Sequence, residues 1–132
     1  MDTDDDLPTV EDVHTIHDEI SETYDLKYPG VRDRFADEKV KQLLEKAREY
    51  DDDFRRAAVI LRKLPSLHVF EDGNKRTAYL VVVEYLDRRN LEPAKSGEVV
   101  ERVMRCRKRF SVEEIAEWLE DGSIDEDRLR EE

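Results

Sequence analysis

The chain predicts an all-α fold, a compact single-domain helical bundle of about six helices. Three observations carry this reading. Apolar residues recur at spacings of three and four along most of the chain, so each segment has one face to bury. Capping residues stand at the heads of segments, as in Thr9-Val10-Glu11-Asp12 and Ser111-Val112-Glu113-Glu114. The 132 residues suit one domain, long enough to bury roughly two thirds of its unfolded surface without staples.

Taken in order, residues 1–8 read as a disordered acidic leader. The helical domain spans 9–121. Thr9 caps a first helix whose inward face is Val10, Val13, Ile16, Ile20 and Tyr24. His14 and His17 lie three apart on it, but lack a third partner for a metal, so they read as satisfied or surface histidines. Residues 25–35 form a connector with a Pro29-Gly30 turn. A second helix runs from about Ala36 to Tyr50 with Val40, Leu43, Leu44 and Ala47 inward. Asp51, Asp52 and Asp53 suit the cap and dipole of a third helix, with Phe54, Ala57, Ala58, Leu61 and Leu64 as its stripe. Pro65 and Ser66 end it, and Phe70 reads as an apolar anchor for the loop that follows.

The fourth helix runs from Asn74 to about Arg89. Ala78, Leu80, Val81, Val82, Val83, Tyr85 and Leu86 are apolar almost all round, which predicts a central, buried helix. Leu80 to Val83 alone could be a strand, but the length and polar ends favour helix. After a loop with Pro93, Ser96 caps a fifth helix with Val99, Val100, Val103 and Met104 inward. Arg102, Arg105, Arg107, Lys108 and Arg109 read as a solvated basic face paired to nearby carboxylates, with a docking surface for an acidic partner as the alternative. The last helix buries Ile115, Trp118 and Leu119. From Asp121 the chain is expected to fray, and 122–132 read as a charged tail.

The net charge of −12 argues against binding to nucleic acid or an anionic membrane by the chain as a whole. Acidic residues number 35 against 23 basic ones, a balance that fits solubility in high salt; a halophilic source, which unfolding against KCl would test, stands beside an ordinary acidic bacterial or archaeal protein as the alternative. The single cysteine, Cys106, permits no internal disulfide, and the acidic N-terminus lacks the apolar core of a secretory signal. No run approaches the ~18–20 apolar residues of a membrane span. Together these predict a cytoplasmic protein.

The stretch from His68 to Thr77 breaks a local rule. Gly73 and Asn74 read as a tight turn feeding the fourth helix, with Asp72 or Asn74 as its N-cap. Lys75 and Arg76 then occupy the first turn, where unpaired N–H groups already carry partial positive charge and a cation is disfavoured by ~0.3–1 kcal/mol. A bound anion relieves the conflict, since a helix N-terminus with two cations is a phosphate site. Asp72 adds a hard oxygen ligand suited to Mg²⁺ held jointly with phosphate, and His68 a proton acceptor near neutral pH. Asp-Gly-Asn is equally a common turn, with the two cations simply solvated; on residue types alone both readings stand. The P-loop pattern and the protein-kinase Gly-rich set are absent.

The same residues resemble a known signature. His68-x-Phe70-x-Asp72-Gly73-Asn74-Lys75-Arg76 is similar to that of the Fic/Doc superfamily. The Fic branch reads H-P-F-x-D-G-N-G-R. Val69 in place of Pro, Lys75 in place of the second Gly, and the continuing Thr77-Ala78 match the Doc (death-on-curing) branch, close to H-x-F-x-D-[AG]-N-K-R-T-A. Ile16-His17-Asp18 and Pro29-Gly30-Val31-Arg32-Asp33 also look Doc-like. The resemblance implies a Fic/Doc-like bundle, with a short flap at 25–35 lying over the active site or, equally, an ordinary loop there. It implies His68 as catalytic base, Asp72 as metal ligand, and Gly73, Asn74, Lys75 and Arg76 as nucleotide-phosphate binders, with ATP and Mg²⁺ as cofactors. The Doc branch transfers the terminal phosphate of ATP to a threonine of a translation elongation factor and arrests translation. A Phd-type antitoxin holds it inactive. No [ST]-x-x-x-E-[GN] inhibitory helix is found in the chain, which points to a separate partner. AMP transfer, or a Fic-fold binding module with a silent loop, are the alternatives.

Overall fold

The structure, a computed structural model, describes residues 6–26, 35–94 and 98–129. Six helices occupy them: α1 (Val10–Tyr24), α2 (Ala36–Arg48), α3 (Asp53–Lys63), α4 (Asn74–Arg88), α5 (Glu98–Cys106) and α6 (Val112–Asp121). Short 3-10 turns follow α3, α5 and α6, at Leu64–Leu67, Arg107–Arg109 and Glu126–Leu129. The predicted cap Ser96 and residues 27–34 of the predicted flap lie outside the described residues.

Local chemistry sets the helix starts. Thr9 and Ser111 both form capping boxes, each side chain accepting from the third helical amide while Asp12 or Glu114 reaches back to the cap amide. Asp52 caps α3 by accepting from the Arg55 amide at 2.9 Å. Gly122, in the left-handed region at φ 85°, ends α6.

The innermost helix is α3. Ala57, Ala58, Val59, Ile60 and Leu61 are buried in succession, so α3 is covered on all sides, with α2, α4 and α6 packed against it. The expectation that α4 holds this place is corrected: Leu80 is 40% exposed and Val83 half-buried. Leu80 lines an open cleft, and an apolar residue on a cleft wall reads the same as a core residue in sequence. Tyr24 departs likewise, at 51% exposed. The buried phenol of Tyr85 on α4 donates to Asp53 Oδ1 on α3 at 2.7 Å.

Residues 6–8 and 122–129 are packed against the bundle, more than their composition implies, and residues 1–5 of the expected leader and 130–132 of the expected tail lie outside the described residues. Leu7 is buried, and Arg88, the last residue of α4, and Arg89, which follows it, reach Asp6. The segment expected to fray after Asp121 turns back instead: Leu129 is 2% exposed, and Arg128 binds Asp125 and the Glu114 carboxylate. No helix among the described residues is long and apolar enough to cross a membrane.

Candidate active site

The 3-10 turn after α3 sets the direction of the site loop. It ends at His68, which takes the left-handed conformation (φ 50°, ψ 49°) and donates its N–H to the Pro65 carbonyl at 3.2 Å. A non-glycine residue there costs ~1–3 kcal/mol, held only because its surroundings over-determine it. The twist leaves His68 exposed at the cleft while Val69 and Phe70 dive into the core at 1% and 2% exposure.

Phe70 is the anchor its apolar character predicts. The His17 ring lies flat on it, centroids 3.6 Å apart at 5°, and the His14 ring meets it edge-on at 5.5 Å. The Asn74 amide then closes the loop. Its Oδ1 accepts from the Phe70 N–H at 3.1 Å and its Nδ2 donates to the Phe70 carbonyl at 2.9 Å. These two bonds span residues 70–74 and hold the turn like a strand pair.

Neither Asp72 nor Asn74 is the N-cap of α4. Gly73 is, at φ 80°, with no side-chain cap bond. Asn74 is already helical and its amide is committed to Phe70; the Asp72 Oδ1 accepts from the Gly73 N–H at 2.9 Å instead. The amides of Asn74, Lys75 and Arg76 therefore have no intrahelical acceptor and no side-chain cap. Lys75 and Arg76 are exposed beside them, and the Arg76 guanidinium sits 4.0 Å from the Tyr24 ring centroid.

All six residues singled out from the sequence line one cleft of about 880 Å³: His68, Asp72, Gly73, Asn74, Lys75 and Arg76. That volume is in the range of small-molecule sites. The arrangement can take an anion on the α4 amides with a proton acceptor beside it. Among the described residues no group of three or more His, Cys, Asp or Glu could hold a metal ion by itself. One carboxylate suits Mg²⁺, which is typically held by one or two carboxylates together with substrate phosphates, and Asp72 supplies it.

A family model described as Fic/DOC family matches residues 7–86, from just before α1 to near the end of α4. The chain belongs to the Fic/DOC family. Comparison with curated proteins gives no match. The match covers every residue of the loop from His68 to Thr77, while the part of the cleft lining at α5 and the turn after it lies beyond the matched span of this Fic/DOC protein.

Two parts of the site carry no role in the sequence reading. His17 is 1% exposed and its Nε2–H donates to the Asp72 carbonyl at 2.8 Å. Its signal was available: it falls in register with Val13 and Ile20, on the buried face of α1. The second part is the basic run at the end of α5 and in the turn after it. Arg105, Arg107 and Lys108 line the cleft; Arg105 and Lys108 are exposed and Arg105 pairs with Glu101, as the solvated-face reading has it, whereas that reading fails for Arg107. Arg107 is buried, and burial first, then the neighbouring Arg62 charge, pull its guanidinium below its ordinary value.

Proposed function

We propose that this Fic/DOC protein is a Doc-like toxin, a protein kinase that moves the γ-phosphate of ATP to a Thr or Ser hydroxyl of a translation elongation factor and is restrained by a Phd-type antitoxin. The observation that carries the reading is Lys75 in the first turn of α4, within the cleft that also holds His68. A second Gly at that place, as in the Fic branch, leaves room for the phosphate of a nucleotide running onward. A lysine fills that room and favours a terminal phosphate.

The residues divide the work. His68 accepts the proton as the target hydroxyl oxygen bonds to the γ-phosphorus. The bond from that phosphorus to the β–γ bridging oxygen breaks, and ADP leaves. The Asn74, Lys75 and Arg76 amides receive the terminal phosphate, and Gly73 supplies the left-handed turn that leaves them without a side-chain cap. The Lys75 and Arg76 side chains stabilise charge as the phosphoryl group moves. Asp72 would hold Mg²⁺, which supplies charge neutralisation on the phosphates.

Incubating the protein with a candidate elongation factor and γ- or α-labelled ATP tests the proposal. Label from the γ position alone, with a mass gain of one phosphate on the target, is the expected result. Label from the α position means AMP transfer. A His68→Ala variant as growth-inhibitory as the parent means that the loop is not catalytic.

A further inference from the structure

The loop from His68 to Arg76 forms one wall of the cleft. The end of α5 and the turn after it form another part of its lining, and there a buried cation stands without a carboxylate partner among the described residues. Arg107 is 6% exposed. Its Nε–H donates to the Arg62 carbonyl at 3.1 Å, one terminal nitrogen to the Met104 carbonyl at 3.0 Å, and the other to Ser66 Oγ at 2.9 Å. All three acceptors are neutral. Among the described residues no carboxylate pairs with this cation, although burying an uncompensated charge is costly. Three of five guanidinium hydrogens are used at most, so donors remain.

Lys108 follows it, exposed and lining the same cleft. Arg105 is also there, loosely paired with Glu101 at 3.8 Å. Five cationic side chains and two carboxylates line the cleft, in a chain whose net charge is −12. A protein this acidic concentrates cations in one concavity at a cost in mutual repulsion, and an anionic occupant removes that cost. The cleft is also larger than one phosphate requires, and Leu80 of α4 with Val100 and Met104 of α5 add apolar surface to its lining.

We propose that Arg107 and Lys108 form a second anion-binding wall, which takes the inner phosphates of a nucleoside triphosphate whose terminal phosphate lies on the α4 amides. This rests on the phosphotransfer reading above. The rigid guanidinium supplies a fixed charge and Lys108 an adjustable one. Negative charge that develops on the departing diphosphate during transfer then meets cations already in place.

The test is calorimetric binding of Mg-ATP and of tripolyphosphate to the full chain, its Lys108→Ala and Lys108→Glu variants, and Arg107→Gln. Lys108→Ala should weaken both ligands about 5- to 10-fold, and Lys108→Glu further. Arg107 also braces Arg62, Ser66 and Met104, so its variant can misfold; circular dichroism monitors this, and the exposed Lys108 supplies the deciding measurement. Equal affinity of the Lys108 variants and the parent for both ligands overturns the wall, as does a parent that binds neither. A parent that transfers phosphate while Lys108→Ala keeps its KM for Mg-ATP removes the wall and spares the kinase reading. A parent that binds tripolyphosphate through Lys108 but transfers nothing removes the kinase reading and spares the wall.

Discussion

The Nε2–H of His17 donates to the backbone carbonyl of Asp72 at 2.8 Å, across 55 positions of sequence. A carbonyl has no hydrogen to give, so Nε2 is the donor in this bond. The same ring is stacked on Phe70, and thus α1 holds the site loop at two points, by its backbone and by its anchor.

His17→Phe keeps an aromatic face on Phe70 and deletes the bond to Asp72. We expect kcat for phosphoryl transfer to fall ~10-fold with KM little changed, since small displacements of reacting groups are costly in rate. His17→Gln, which restores a donor, should recover part of the loss. Unchanged kcat in His17→Phe would show that the bond serves only stability.

Gly73 tests backbone against space. A Cβ there would meet Leu26 Cδ1 at 2.9 Å, the movable end of a side chain, whereas φ +80° cannot be relieved by a neighbour. Gly73→Ala should therefore cost ~1–2 kcal/mol in urea unfolding, mostly from the left-handed conformation. Adding Leu26→Ala should not restore the loss; if it does, the cost was contact.

The Tyr85 phenol joins α4 to α3 through Asp53, and Tyr85→Phe should cost ~1–2 kcal/mol by leaving that carboxylate short of a donor. Burial first, with the Asp53 bond added, pushes the phenol from 10.0 up to about 12. The folded value is raised, so the contribution is whole below pH 10 and is lost as pH rises toward 12. The melting temperature of the parent should fall across that window more steeply than that of Tyr85→Phe.

Glu114 titrates in the other direction. Hydrogen bonding from Arg128 holds its carboxyl down from 4.5 to about 2. A depressed value means stabilisation present above pH 4.5 and lost as pH falls toward 2. Thermal unfolding of Glu114→Gln should lack this acid limb, and a parallel profile for parent and variant would show that the pair contributes nothing to stability.

Helix positions were legible because caps and apolar stripes are local: Thr9, Asp52 and Ser111 each start a helix through atoms within three residues. The site loop was legible because its residues are contiguous in sequence. What escaped depends on distant contacts. Leu80 and Tyr24 carry core chemistry on an open cleft. Arg107 lies in a run of charges that pattern assigns to solvent, yet carbonyls from α3 and α5 enclose it. Gly73 took the cap because Asn74 was claimed by Phe70, four residues back.

Cys106 is the chain's single thiol, and it lies buried with its Sγ 3.6 Å from the Leu129 carbonyl. The returning C-terminal segment thus shields the one group that a maleimide dye can label. The speed of dye uptake becomes a clock for how often that segment lifts away, readable without adding a probe to the native chain.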